Sequence, residues 1–305
     1  MKIKINLKLL DDYKKLVKSK KVYSIVFDGL DGVGKGTLAN LLSKKLVSLS
    51  HNVVYISLPV YTTEYGKIIK HLLTTSDENL TIEERMYVYA INRLEIITEI
   101  INKAYNLYQK NPNSYVVLIF DRFVTSNVLT IAYYISKNKT LNLDVDKYLK
   151  KIPLVDKLFL DILELENIKV FIPSVDIDVA LTRIKQDKER NFIDMYETAN
   201  VQIIANTLYQ HLSKMYIPSL QIQILKIDIE EKPEQIINKC INFLEKDTNY
   251  NQLFCNTNEK TGSLDTIQGD ESYIFANVLN EIRKILYAFP NIQKLYDKFY
   301  TKNKH

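Results

Sequence analysis

The sequence is short of the residues that build disulfide and metal scaffolds. Its 305 residues include two cysteines and four histidines. Cys240 and Cys255 form no C-x-x-C pair and have no histidine cluster beside them. That pattern argues against a secreted disulfide framework and a structural zinc site, and it fits a reducing, cytoplasmic compartment. No Ser-His-Asp set or His/Cys cluster is visible, so hydrolytic chemistries of those kinds have little to work with. No run approaches the roughly 18 apolar residues of a membrane span. The N-terminal MKIKINLKLL alternates lysine with apolar residues, where a signal peptide would be continuously apolar. Charge of one sign is also lacking. The 41 basic and 36 acidic residues leave +5, spread along the chain. That balance suits a polyanionic small ligand and gives no footprint for nucleic acid or a membrane surface.

What is present is an alternation of strand and helix patterns. Val22–Asp28, Asn52–Leu58, Tyr115–Asp121, Lys169–Ile172 and Ile222–Asp228 read as strands, the third continuously apolar as in a strand covered on both faces. Helical stripes lie between them at Thr37 to Leu49, Tyr65–Thr74 and Ile82–Lys110, and Glu234–Leu244 closes the series. The pattern predicts a three-layer α/β fold with a five-stranded parallel sheet. Residues 1–21 read as a basic extension with a short amphipathic helix. Residues 22–247 form the main domain, and 248–305 a polar linker with a helical C-terminal extension over Ser272–Tyr300.

Glycine is scarce, and its distribution carries the strongest signal. The chain has seven, and Gly29, Gly32, Gly34 and Gly36 fall within one short stretch, FDGLDGVGKGT. Compositional bias would disperse them. A loop that wraps phosphates needs positive φ and close backbone approach, points successive N–H groups inward and leads into a helix N-terminus. Gly29, Gly32, Val33, Gly34, Lys35, Gly36 and Thr37 are therefore the expected cradle for ATP, with Lys35 supplying a mobile charge. Gly36 stands where this P-loop pattern has serine or threonine, so Thr37 is the candidate hydroxyl for Mg²⁺.

Five segments, in order, resemble the thymidylate kinase family over about residues 22–247. The first is this P-loop, in which Asp31 matches an acidic residue near the substrate sugar. The second, LPVYTTEYGK, keeps Pro59, Glu64 and Gly66 but has Tyr61 where the family has arginine. In the third, YVYAINR, Tyr89 takes the place of the ring that stacks on thymine and Arg93 that of an arginine reaching the monophosphate. In the fourth, FDRFVTSNV, the resemblance gives Asp121 to Mg²⁺, Arg122 to phosphate oxygens, and Ser126 and Asn127 to the base edge; the family tyrosine is Thr130 here. The fifth, TRIKQDKERNFIDMYE, resembles the mobile lid, with Asp194 and Glu197 closing it. Gly32 stands where some members carry a loop arginine, so the lid is expected to supply the catalytic charge, Arg190 first, then Lys188 or Arg183.

The resemblance implies a P-loop nucleoside-monophosphate kinase that uses ATP and Mg²⁺, forms homodimers and phosphorylates a dTMP-like acceptor, with Lys35, Arg122 and Arg190 as catalytic residues. Two alternatives stay open at this level. The acceptor could be another deoxynucleotide or a deoxynucleoside, given Tyr61 and Thr130. The chain could also be a nucleotide-binding regulator without turnover.

Overall fold

The computed structural model describes residues 7–75, 80–137, 144–186, 194–255, 262–269 and 276–302. Helix α1 (Leu7–Lys18) precedes strand β1 (Val22–Phe27). Then follow α2 (Lys35–Ser48), β2 (Asn52–Ser57), α3 (Glu64–Thr74), α4 (Ile82–Glu95), α5 (Ile97–Lys110), β3 (Val116–Asp121) and α6 (Asn127–Lys137). Helices α7 (Val145–Val155) and α8 (Lys157–Leu163) lead to β4 (Ile168–Ser174), α9 (Ile177–Gln186), α10 (Ala199–Leu212), β5 (Leu220–Lys226) and α11 (Pro233–Glu245). The chain closes with α12 (Gln252–Cys255), β6 (Leu264–Thr266), α13 (Ala276–Ala288) and α14 (Pro290–Lys302). None of the described helices is long and apolar enough to cross a membrane.

The strands form one parallel sheet in the order β5-β4-β1-β3-β2-β6. The crossover from β1 to β2 moves one way across the sheet and that from β2 to β3 moves back. Right-handed crossovers then place α2 and α5 on opposite faces. Both central strands are apolar because both faces are covered: every residue of β1 is buried, as is every residue of β3 before Asp121. The strand order reverses direction at β1, so the crevice for ligands opens beyond its carboxyl end.

The sequence reading needs four corrections. The sheet has six strands, not five, because β6 from the expected linker joins β2. Strand β4 runs on through Pro173 to Ser174. Phe171 O accepts from Asp28 N at 3.0 Å, so Pro173, two residues on, turns its missing N–H to the same side, past the end of β1. The stripe over Ile82–Lys110 breaks at Ile96 into α4 and α5, and the C-terminal stripe breaks at Phe289 into α13 and α14. A proline at the first helical position suits α14, because that N–H has no intrahelical partner.

The N-terminal helix is part of the core. Leu10, Tyr13 and Leu16 are buried, the Tyr13 hydroxyl donates to Leu163 O at 3.3 Å, and Lys14 pairs with Glu164 at 2.6 Å. Tyr13→Ala should therefore lower stability by about 3 kcal/mol or more, as large-to-small aromatic substitutions in a core do. Urea unfolding measures this, and a loss near zero would mark α1 as a dispensable leader.

Candidate active site

The β1–α2 turn is built as the glycine clustering predicts. Gly29, Gly32 and Gly34 have φ of 127°, 74° and 86°, in the region that side chains rarely adopt. Gly34 then caps α2, which begins at Lys35. Gly36 has a different reason to lack a side chain: a Cβ there would lie 2.9 Å from Asp121 Oδ2. The serine or threonine of the usual pattern would crowd the carboxylate at the end of β3, which would have to turn aside. Thr37, the alternative hydroxyl, lies exposed on the first turn of α2.

Three charges meet above this turn. Arg122 donates to Asp31 Oδ1, and Lys35 lies 3.5 Å from the same oxygen while donating to Leu30 O. Gln202 on α10 holds Asp31 in place, accepting from its N–H at 3.0 Å and donating to Oδ2 at 3.3 Å. Burial lowers the pKa of Lys35, and the neighbouring Arg122 adds to that, against the pull of Asp31 and Asp121. Burial also works against the charge of Arg122, but Asp31, Asp28 and Asp121 outweigh it and hold its pKa above the ordinary value. Burial pushes the Asp121 carboxyl up, opposed by Lys35, Arg122 and a hydrogen bond from the Tyr55 hydroxyl at 3.3 Å.

Arg122 has a left-handed backbone, φ 68°, and its Nη1 is buried without a hydrogen-bond partner. It also lines two pockets. One holds Asp31, Gly32, Gly34, Lys35, Gly36, Asp121 and Arg183. The other is walled by Pro59, Tyr61, Tyr89, Arg93, Ser126, Asn127 and Tyr196. Strained backbone and an orphaned cationic N–H at the junction of two pockets mark a functional position.

The second pocket is held rigidly. Arg93 makes a bidentate pair with Asp156, at 2.6 and 2.7 Å, and Asn127 donates to the same carboxylate at 3.2 Å. The residues assigned from sequence to phosphate and to base thus share one anchor. Burial raises the Asp156 pKa while Arg93 and Asn127 oppose it. Tyr89 and Tyr196 bring their hydroxyls to 3.5 Å, and Tyr196 meets Thr130 Oγ1 at 3.1 Å. Ser126 turns its hydroxyl onto Asp28 at 2.6 Å, where Thr125 and Tyr209 also donate. Pro59 and Tyr61 sit on a loop fixed by Asn92, whose amide bonds both N and O of Val60 at 3.1 Å.

The structure therefore brings together Asp31, Lys35, Asp121 and Arg122 at one pocket and Pro59, Tyr61, Tyr89, Arg93, Ser126 and Asn127 at the next. Arg183 lines the first pocket. Arg190 and Lys188 lie outside the described residues. Sequence reasoning missed Asp156, Gln202 and Tyr196. Asp156 and Gln202 sit on segments with no motif; Tyr196 stood between the two acidic residues that were singled out.

The thymidylate kinase family model matches residues 27–239. The chain belongs to the thymidylate kinase family. It is thus an ATP-dependent nucleoside-monophosphate kinase. Among curated relatives, thymidylate kinase from Brachyspira hyodysenteriae is 25% identical over 73% of this chain and 93% of its own length. That from Leptospira interrogans is 29% identical over 74% and 95%. A solved thymidylate kinase from Candida albicans aligns with a TM-score of 0.49 and 18% identity, over 75% of this chain and 94% of that one.

One carboxyl of the site predicts a pH dependence. Glu95 on α4 accepts from Thr63 Oγ1 at 2.6 Å and Tyr65 N at 3.1 Å. Burial nevertheless raises its pKa from 4.5 to about 7, against those hydrogen bonds. The folded chain keeps this proton over a range in which the unfolded chain has lost it. The contribution to stability is full below about 4.5 and is lost as pH rises through about 7. Urea midpoints should fall from pH 5 to pH 8 more steeply in the wild type than in Glu95→Gln; parallel curves would refute the assignment.

Proposed function

We propose that this chain transfers the γ-phosphoryl of ATP to thymidylate, with Mg²⁺. The observation that carries the reading is Arg122, which lines both the glycine-loop pocket and the aromatic pocket and keeps one buried guanidinium nitrogen unpartnered. Phosphoryl transfer asks a protein mainly to hold two anions in line and to neutralise charge. The loop amides and Lys35 hold the donor polyphosphate. Tyr89 offers a ring for the base and Asn127 an amide at its edge; Arg93, expected from the sequence at the acceptor phosphate, has its fork taken by Asp156, and this proposal moves it to the base edge beside Asn127. Arg122 holds the acceptor phosphate against the donor, and its planar fork suits phosphate oxygens. Tyr61, in place of the family arginine, offers a neutral hydrogen bond, so more of the phosphate contact falls to Arg122.

The residues present fit Mg²⁺, which takes one or two carboxylates and completes its shell with phosphate oxygens and water. Asp121 stands against the loop at Gly36, and Thr37 follows; these two would hold the ion. The ion neutralises phosphate charge when bound. Arg183 adds a charge at the donor pocket, and Arg190 remains the lid candidate of this proposal. Exclusion of water by pocket closure suppresses hydrolysis.

A second reading is favoured by Thr130, which stands where the family has tyrosine and meets the pocket-lining Tyr196 hydroxyl at 3.1 Å. It keeps the reaction and changes the acceptor. A panel of nucleoside monophosphates with ATP and Mg²⁺, followed by ADP release, separates the two: thymidylate should react best, and turnover of another nucleotide with thymidylate inert moves the assignment. Lys35→Ala should lower turnover about 100-fold or more, as loss of one preorganised charge donor does. Unchanged turnover in that variant would sink the enzyme mechanism.

A further inference from the structure

The segment beyond the family match returns to the acceptor pocket. Strand β6 pairs parallel to β2, from Val53↔Leu264 to Tyr55↔Thr266. A parallel edge strand leaves the sheet at the same end as its neighbour, here the crevice end. Ile267 N donates to Tyr55 O at 3.0 Å, and the next two residues run against the Leu58–Thr63 loop. Thr62 Oγ1 donates to Gln268 O. Gly269, φ 76°, approaches so closely that a Cβ would lie 2.6 Å from Thr62 Oγ1 and 2.8 Å from Val60 Cγ1. Buried Glu99 on α5 accepts from Gln268 N at 3.0 Å and Gly269 N at 2.9 Å. Lys103 ties Glu99 at 3.1 Å to Asp265 at 3.2 Å.

The other flank of the same loop is held by α14. Tyr296 donates its hydroxyl to Glu64 Oε2 at 2.8 Å, and Tyr300 donates to Glu64 O at 3.0 Å. The Tyr296 ring stacks on Tyr65 with centroids 5.5 Å apart. Glu64 opens α3 directly after the loop.

We propose that the C-terminal segment is a positioning strap for the acceptor site. It fixes the loop bearing Pro59 and Tyr61 through Gln268 and Gly269 on one side and Tyr296 and Tyr300 on the other. The identity of the acceptor rests on the kinase reading above; the strap itself rests on these contacts. The loop contributes nothing to the pocket around Lys35, so the strap acts on the acceptor and leaves ATP alone.

The test compares the full chain with Thr62→Val/Tyr296→Phe and with Thr62→Ser. In the double variant the acceptor KM should rise about 3- to 10-fold, the effect of losing one or two neutral hydrogen bonds, while the KM for ATP stays within about twofold. Thr62→Ser should keep wild-type values, because it retains the hydroxyl. An unchanged acceptor KM, or an equal rise in both KM values, overturns the strap. A wild-type chain that turns over no monophosphate overturns the kinase reading instead. Hydrogen exchange at residues 58–66 then judges the strap: faster exchange in the double variant supports it, and identical exchange refutes it.

Discussion

The site depends on one buried carboxylate shared by two cations. Asp31 holds Arg122 directly and has Lys35 at 3.5 Å. A buried ammonium or guanidinium is costly without an anion nearby, and Asp31 is the first of three carboxylates, with Asp28 and Asp121, that offset this for both cations. Asp31 is in turn fixed by Gln202, whose amide also donates to Tyr196 O at 2.7 Å. One glutamine thus connects the glycine loop to the Met195–Glu197 turn, whose Tyr196 lines the aromatic pocket. Tyr209, two turns further along α10, donates to Asp28 at the end of β1. Helix α10 therefore sets both ends of the loop's first turn, and a shift of this helix would move loop and pocket wall together.

That dependence explains which parts of the protein were legible in the sequence. The glycine cluster was readable because its cause is local: positive φ at Gly29, Gly32 and Gly34. The central strands were readable because burial on both faces leaves a continuous apolar run. Asp156 was not readable. It lies in a helical segment without a motif, and its partner Arg93 is 63 residues away. Strand β6 was missed for a related reason: Leu264–Thr266 is three residues long, and only the free edge of β2 makes it a strand. The departure at Gly36 could be seen in the sequence, but the approach of Asp121 to it required the fold.

Another buried cation, Arg85, has no carboxylate against it among the described residues. Arg85 is fully buried on α4, one turn before Tyr89, with Nε and Nη2 unpartnered. Its Nη1 donates to Met195 Sδ at 3.2 Å, and its guanidinium lies 5.4 Å from the Tyr133 ring and 5.9 Å from that of Tyr134. Aromatic faces offset part of the desolvation. Arg85, Tyr89 and Arg93 recur every four residues, so they share one stripe of α4, of which Tyr89 and Arg93 line the aromatic pocket.

The two pockets are therefore stabilised in different ways. The glycine-loop pocket is set by the glycine backbone and by charges that balance one another. The aromatic pocket is walled by residues of several elements whose polar groups pair across them. The C-terminal segment bears on the second of these from outside. It adds an edge strand beside β2 and then returns at α14 to the first turn of α3. The loop between those two points, with Pro59 and Tyr61, is held at both ends by residues that follow the family match.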